Sequence, residues 1–146
     1  MSDPHLIRNL TTLVALRNTE VERLQTEMAA KENVRERYQK NLERLTGLYV
    51  NSGASGNLPL ALAGNLGDYK QAVMQMADNH RLDLNMHVAD MAVSQRQLTA
   101  AWVKREALGK VLDKQQNVLL QEQNTLERKR HDELATQLWF RGKNNL

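Results

Sequence analysis

The four histidines are the first candidates for chemistry, and their spacing argues against it. His80 and His87 stand seven residues apart and His5 and His131 stand alone, whereas a helical zinc site sets histidines at i and i+4 or beside a carboxylate. They read as surface or seam residues, with no metal centre. The carboxylates Glu20, Glu22, Glu27 and Glu32 could do acid–base work only in a pocket that shifts their pKa values, and two thin helices offer none. No glycine is followed by the Lys-Ser/Thr of a phosphate-binding loop, and the lack of cysteine removes thiolate ligands, thiol nucleophiles and disulfides. No catalytic residue and no cofactor is expected, so any link to ATP must run through another protein.

The densest basic run is Glu127-Arg128-Lys129-Arg130-His131, downstream of regularly spaced leucines. A DNA-binding zipper places about a dozen basic residues ahead of its heptads. Here three follow them, flanked by Glu127, Asp132 and Glu133, and the net charge of +3 is small for a nucleic-acid binder of this length. The composition excludes a thick globular core as well, with 41% hydrophobic residues, two tryptophans, three tyrosines and one phenylalanine. The start, Met1-Ser2-Asp3-Pro4-His5, lacks the basic and apolar stretches of a signal peptide. The longest apolar-rich run, Leu58 to Ala63, falls well short of the ~18 residues of a membrane span. A soluble protein without direct membrane insertion is expected.

The elements that carry these residues are two long helices. Pro59 and Gly53, Gly56, Gly64 and Gly67 fall together between Asn51 and Asp68 and mark one break. Asp3 before Pro4 is an N-cap and first-turn pair, because Asp accepts from free backbone N–H groups and proline has none. The second helix starts either at Asn65 with Asp68 in a capping-box arrangement or earlier at Asn57. The expected organisation is a single coiled-coil domain over 1–146: helix one about 4–50, a turn about 51–67 and helix two about 68–140.

Helix one carries a stripe at steps of four and three: Leu10, Val14, Arg17, Val21, Leu24, Met28, Lys31, Arg35, Tyr38, Leu42, Leu45 and Tyr49. Helix two carries Leu84, Met91, Leu98, Leu112, Leu119 and Leu126 on a seven-residue grid broken by Arg105, with Val88 and Trp102 between them. Nearer the turn Tyr69, Val73, Met76 and His80 continue it. Two successive steps of four, from Met76 to His80 to Leu84, predict a stutter in the supercoil.

Antiparallel partners should have residue numbers of nearly constant sum. Tyr49 with Tyr69, Leu45 with Val73, Leu42 with Met76, Tyr38 with His80, Met28 with Met91 and Val21 with Leu98 meet that condition. The same register sets Arg17 against Trp102 for a cation–π contact. Helix one then ends opposite about residue 109, leaving a C-terminal overhang of ~30 residues, or ~45 Å at about 1.5 Å per residue. Its stripe of Leu112, Leu119 and Leu126, with Trp139 and Phe140, predicts a partner protein, and an exposed leucine stripe can also drive self-association.

Set out in this way, the second helix resembles the flagellar export protein family FliJ. The resemblance rests on Trp102, the tract Leu119-Leu120-Gln121-Glu122-Gln123, then Glu127-Arg128-Lys129-Arg130-His131-Asp132-Glu133-Leu134-Ala135, and Arg141. Length, unequal helices and a polar turn near residue 60 agree with it. It implies an all-α hairpin with a longer second helix, not an enzyme, acting as the stalk of the flagellar type III protein export apparatus. Such a stalk binds the hexameric export ATPase and promotes its assembly and activity. It couples the ATPase to the export-gate membrane protein and escorts export chaperones, in the cytoplasm at the inner membrane.

The positions that match the ATPase-binding end are Leu112, Leu119, Leu126, Arg128, Lys129, Arg130, Asp132, Glu133 and Arg141. Those that match the gate-binding end are Leu42, Leu45, Tyr49, Tyr69, Val73, Met76 and His80, which the stripe analysis also claims for the hairpin seam. Among the gate positions, His80 and the two tyrosines carry polar tips and are the ones expected to be exposed. The equivalent stalk of a virulence secretion system and an unrelated coiled-coil adaptor or chaperone are the alternatives.

Overall fold

A computed structural model describes residues 3–51 and 60–145, without the side chains of 60–63. Two helices account for it: α1 (Pro4–Asn51) and α2 (Leu60–Asn144). They pack against each other as a helical hairpin with a longer second helix. The chain divides into two compact units, the first made of 1–21 with 101–146 and the second of 22–100.

Asp3 caps α1 as its sequence predicts. Its Oδ1 accepts from the His5 backbone N–H at 2.9 Å and its carbonyl accepts from the Ile7 N–H at 3.1 Å, which uses the donors that a helix start leaves free. At the far end of α2, Arg141 and Lys143 lie in the last turn, where cations complement the negative end of the helix dipole.

The second helix is already formed at Leu60, ahead of the Asn65 cap and of the expected start near residue 68, and it continues to Asn144. The turn residues 52–59, with Gly53, Gly56, Asn57 and Pro59, lie outside the described residues. Gly64 and Gly67 therefore sit within α2 and do not end it. A helical glycine costs about 1 kcal/mol relative to alanine and is no barrier in itself.

Gly109 lies in the helix interior with no atom within 4 Å of the place a Cβ would take. Gly109→Ala is accordingly expected to stabilise the fold by about 0.5–1 kcal/mol, read as a rise in the urea midpoint with unchanged slope.

In the first unit, Ile7, Leu10, Val14, Arg17 and Val21 of α1 are buried or half-buried, and Val21 is 1% exposed. On α2 the sheltered positions are Ala101, Arg105, Leu108, Leu112, Gln115, Leu119 and Glu122, at alternating steps of four and three. In the second unit α1 shelters Leu24, Met28, Lys31, Arg35, Tyr38, Leu42 and Leu45. There α2 shelters Leu66, Lys70, Val73, Ala77, His80, Leu84, His87, Met91, Ser94 and Leu98.

The α1 stripe is thus as expected except for Tyr49, which is exposed. The α2 stripe needs correction. Tyr69, Met76, Val88 and Trp102 are exposed, and the seam takes their neighbours Lys70, Ala77, His87 and Ala101. With Ala77 in place of Met76 the steps of four and three are regular and the stutter disappears. Small residues such as Ala77 and Ala101 fit where two helix backbones approach, and Lys70 and His87 enter with apolar stems or satisfied polar tips, so size and apolarity alone misplaced the seam by one residue.

The register needs correction too. Tyr38 meets His80 as expected, with ring centroids 4.9 Å apart, but it also meets His87 at 5.7 Å. Lys31 likewise reaches both Asp90 and Ser94. Tyr38 thus lies between two seam positions of α2, as a knob enters a hole, and Lys31 reaches one seam residue and one on its border, so one-to-one pairing by residue number is displaced by about half a heptad. Trp102 takes its cation from its own helix, Arg105 lying 6.0 Å from the ring centroid, while Arg17 pairs with Glu20 at 3.0 Å.

Candidate functional site

The C-terminal end of the first unit is a bare helix. Every residue from Gln123 to Asn145 is exposed, a stretch of roughly 35 Å at about 1.5 Å per residue. Leu112 and Leu119 lie before it and are half-buried, so of the three overhang leucines only Leu126, 58% exposed, stands free of cover. The overhang begins later than residue 109 because helix one starts at Pro4, upstream of its first stripe residue Leu10.

Arg128, Lys129 and Arg130 are consecutive on this helix and so point about 100° apart, presenting cations on three sides. With Asp132, Glu133 and Arg141 they are exposed, and none of the six makes an ion pair among the described residues. Trp139 packs edge-on against Phe140 at 5.2 Å, with the Lys143 ammonium 5.0 Å from its ring centroid. Leu134 and Leu138 are further exposed apolar residues here that the seam grid misses, because they stand at i and i+4 off its line.

The residues matched to the gate-binding end separate into two groups. Leu42, Leu45, Val73 and His80 belong to the seam of the second unit. His80 is half-buried rather than exposed, its Nε2 bonded to the Tyr38 carbonyl at 2.9 Å, which satisfies the polar tip inside the hairpin. Tyr49, Tyr69 and Met76 are exposed, near Leu48, Val50 and Met74 in the chain. The Lys70 ammonium stands 5.4 Å from the Tyr49 ring centroid.

A polar layer crosses the second unit. Lys31 Nζ pairs with Asp90 Oδ2 at 2.8 Å and donates to the buried Ser94 hydroxyl, and His87 Nε2 bonds the Lys31 carbonyl at 2.8 Å. Arg35 Nε donates to Glu32 Oε2 at 3.0 Å. The hydrogen bond from Lys31 holds the Asp90 carboxyl below the usual carboxylate range, and that from Arg35 does the same for Glu32.

Folded-state values below the unfolded ones mean stabilisation that is present above the unfolded carboxylate pKa and lost as pH falls through the folded value. The melting temperature is expected to be level above about pH 5 and to fall below about pH 4, with a shallower fall in Asp90→Asn. An equal fall in the variant would remove Asp90 from the account.

No group of three or more metal-ligating residues gathers among the described residues, and no described helix is long and apolar enough to cross a membrane. An open groove of about 330 Å³ lies in the first unit, between Val14 and Asn18 of α1 and Arg105, Glu106, Gly109, Lys110 and Asp113 of α2. Its lining carries both signs of charge.

With no pocket holding convergent chemistry among the described residues, recognition falls to the exposed helix faces of each unit. The profile of the flagellar FliJ protein family matches residues 7–144, nearly the whole chain, and the chain belongs to that family. It is therefore a component of the flagellar, type III class of export apparatus, in a family of export components rather than enzymes. No curated protein and no solved structure matches it.

Proposed function

We propose that the chain is the export stalk that binds the hexameric export ATPase through Gln123–Asn145, promotes its assembly and activity, and couples it to the export-gate membrane protein. The observation that carries this reading is the bare C-terminal helix, whose free cations Arg128, Lys129, Arg130 and Arg141 suit an acidic channel. In the second unit Tyr49, Tyr69 and Met76 are the gate contacts, and Leu42, Leu45, Val73 and His80 hold the scaffold beneath them. Escort of export chaperones uses the same exposed surfaces, and the protein works in the cytoplasm beside the inner membrane without entering it.

Co-purification with the export ATPase, read together with hexamer formation and ATP turnover, tests this proposal. Binding with stimulation is expected, and neither binding nor stimulation would sink it. Burial also separates two leucines that the sequence treats alike. Leu126→Ala is expected to weaken ATPase binding while leaving stability within about 0.5 kcal/mol. Leu119→Ala is expected to cost about 1–2 kcal/mol of stability, because its side chain is already partly covered. The reverse pattern would place the edge of the binding segment elsewhere.

A further inference from the structure

A second apolar line runs along the outer face of α2 in the second unit, away from the seam. Leu82, Met86, Ala89 and Val93 follow one another at steps of four, three and four and are all exposed, Leu82 at 60% and Met86 at 66%. Arg96 ends the line. Neither the seam of this unit nor the proposed gate contacts use it, and an exposed apolar line of this extent marks an interaction surface.

The chemistry along its border selects the occupant. Asp78, Leu82, Met86 and Asp90 stand at successive steps of four, so two apolar side chains are bracketed by two carboxylates. Asp78 meets Arg81 at 2.8 Å and Asp90 meets Lys31 at 2.8 Å, yet their side chains remain 63% and 58% exposed. Asp83, on the same border, makes no ion pair among the described residues.

The bare C-terminal helix carries the complementary order. Arg130, Leu134, Leu138 and Arg141 stand at steps of four, four and three, two exposed leucines bracketed by two cations that have no ion-pair partner among the described residues. The brackets span roughly 18 Å and 16 Å at about 1.5 Å per residue, close enough for both ends to meet. Two outer α2 faces set against each other would instead oppose acid to acid.

We propose that the Arg130–Arg141 face of one copy docks on the Asp78–Asp90 face of a second copy. Leu134 and Leu138 cover Leu82 and Met86, and the arginines meet the aspartates at either end. The contact joins unlike faces, so each copy retains one face of each kind and assembly continues head to tail.

The test uses the full chain, which has no native cysteine to interfere. In sedimentation velocity the protein is expected to self-associate near about 0.05 M salt and to revert to monomer near about 0.5 M, since the contact depends on exposed charge. Met86→Cys mixed with Leu138→Cys is expected to give the mixed disulfide in excess of either homodimer. The double variant Arg130→Glu/Arg141→Glu should lose association, and mixing it with Asp78→Lys should recover part of it. A protein that is monomeric at all concentrations and salts would overturn the proposal and leave the acidic face to a foreign basic helix. Association that survives the arginine reversals would also overturn it, by placing the contact elsewhere.

Discussion

Val21→Asp is expected to remove about 3 kcal/mol or more of stability. Among the described residues Val21 is the fully buried large side chain, at 1% exposure, and a carboxylate there is taken out of water. Few of the described residues share such burial: Leu10, Val21 and Ala101 are the buried apolar residues of the first unit, and Leu24, Val73, Ala77 and Met91 those of the second. A single domain is stable by only about 5–15 kcal/mol, so this loss is a large part of the whole. Urea denaturation followed by far-UV circular dichroism measures it. Leu16→Asp is the control, since that leucine is 61% exposed on the same helix and its replacement should stay within about 0.5 kcal/mol. Equal effects would mean that the seam does not hold the hairpin.

The second large effect concerns binding. Reversing Arg128, Lys129 and Arg130 together to glutamate should weaken the proposed complex with the export ATPase by about a hundredfold, as expected for three favourable charge contacts turned unfavourable at close to 1 kcal/mol each. The melting temperature should barely move, because all three side chains are exposed and break no ion pair when changed. Titration at two ionic strengths is the measurement. The loss should shrink as salt rises, because exposed charges are screened over about 10 Å at 0.1 M. Unchanged affinity would remove the basic run from the binding surface, and a fall in melting temperature would show that the segment packs on the hairpin.

Periodicity and punctuation were sufficient for the elements and for one of the two stripes. Caps are local, so Asp3 and Pro4 announced the start of α1. The α1 stripe was legible because its members are mostly large and apolar against a polar background. On α2 the background is itself apolar in places: Met76 beside Ala77, Val88 beside His87 and Trp102 beside Ala101 offer two candidates one residue apart. A rule that prefers the larger or the more apolar residue takes the wrong one each time, and the false stutter follows from the first of these choices.

Site residues divided in the same way. Exposure of the basic run and of Leu126 followed from the unequal helix lengths, which the chain states directly. Whether Leu112 and Leu119 are covered depends on how far Pro4 reaches along α2, which no local pattern records. Val73 and His80 could be seam or contact surface until the partner helix took them, the histidine by bonding the Tyr38 carbonyl. The outer line of Leu82 and Met86 could be assigned only after the seam was fixed on the opposite side.

What the sequence determined by itself is what short-range physics encodes: two long helices, a heptad repeat, the basic run and the family pattern. Only the tertiary structure decided which of two adjacent residues faces inward, how the helices interlock and where cover ends. Those depend on how closely two backbones approach, a distance set jointly by both helices and written in neither alone.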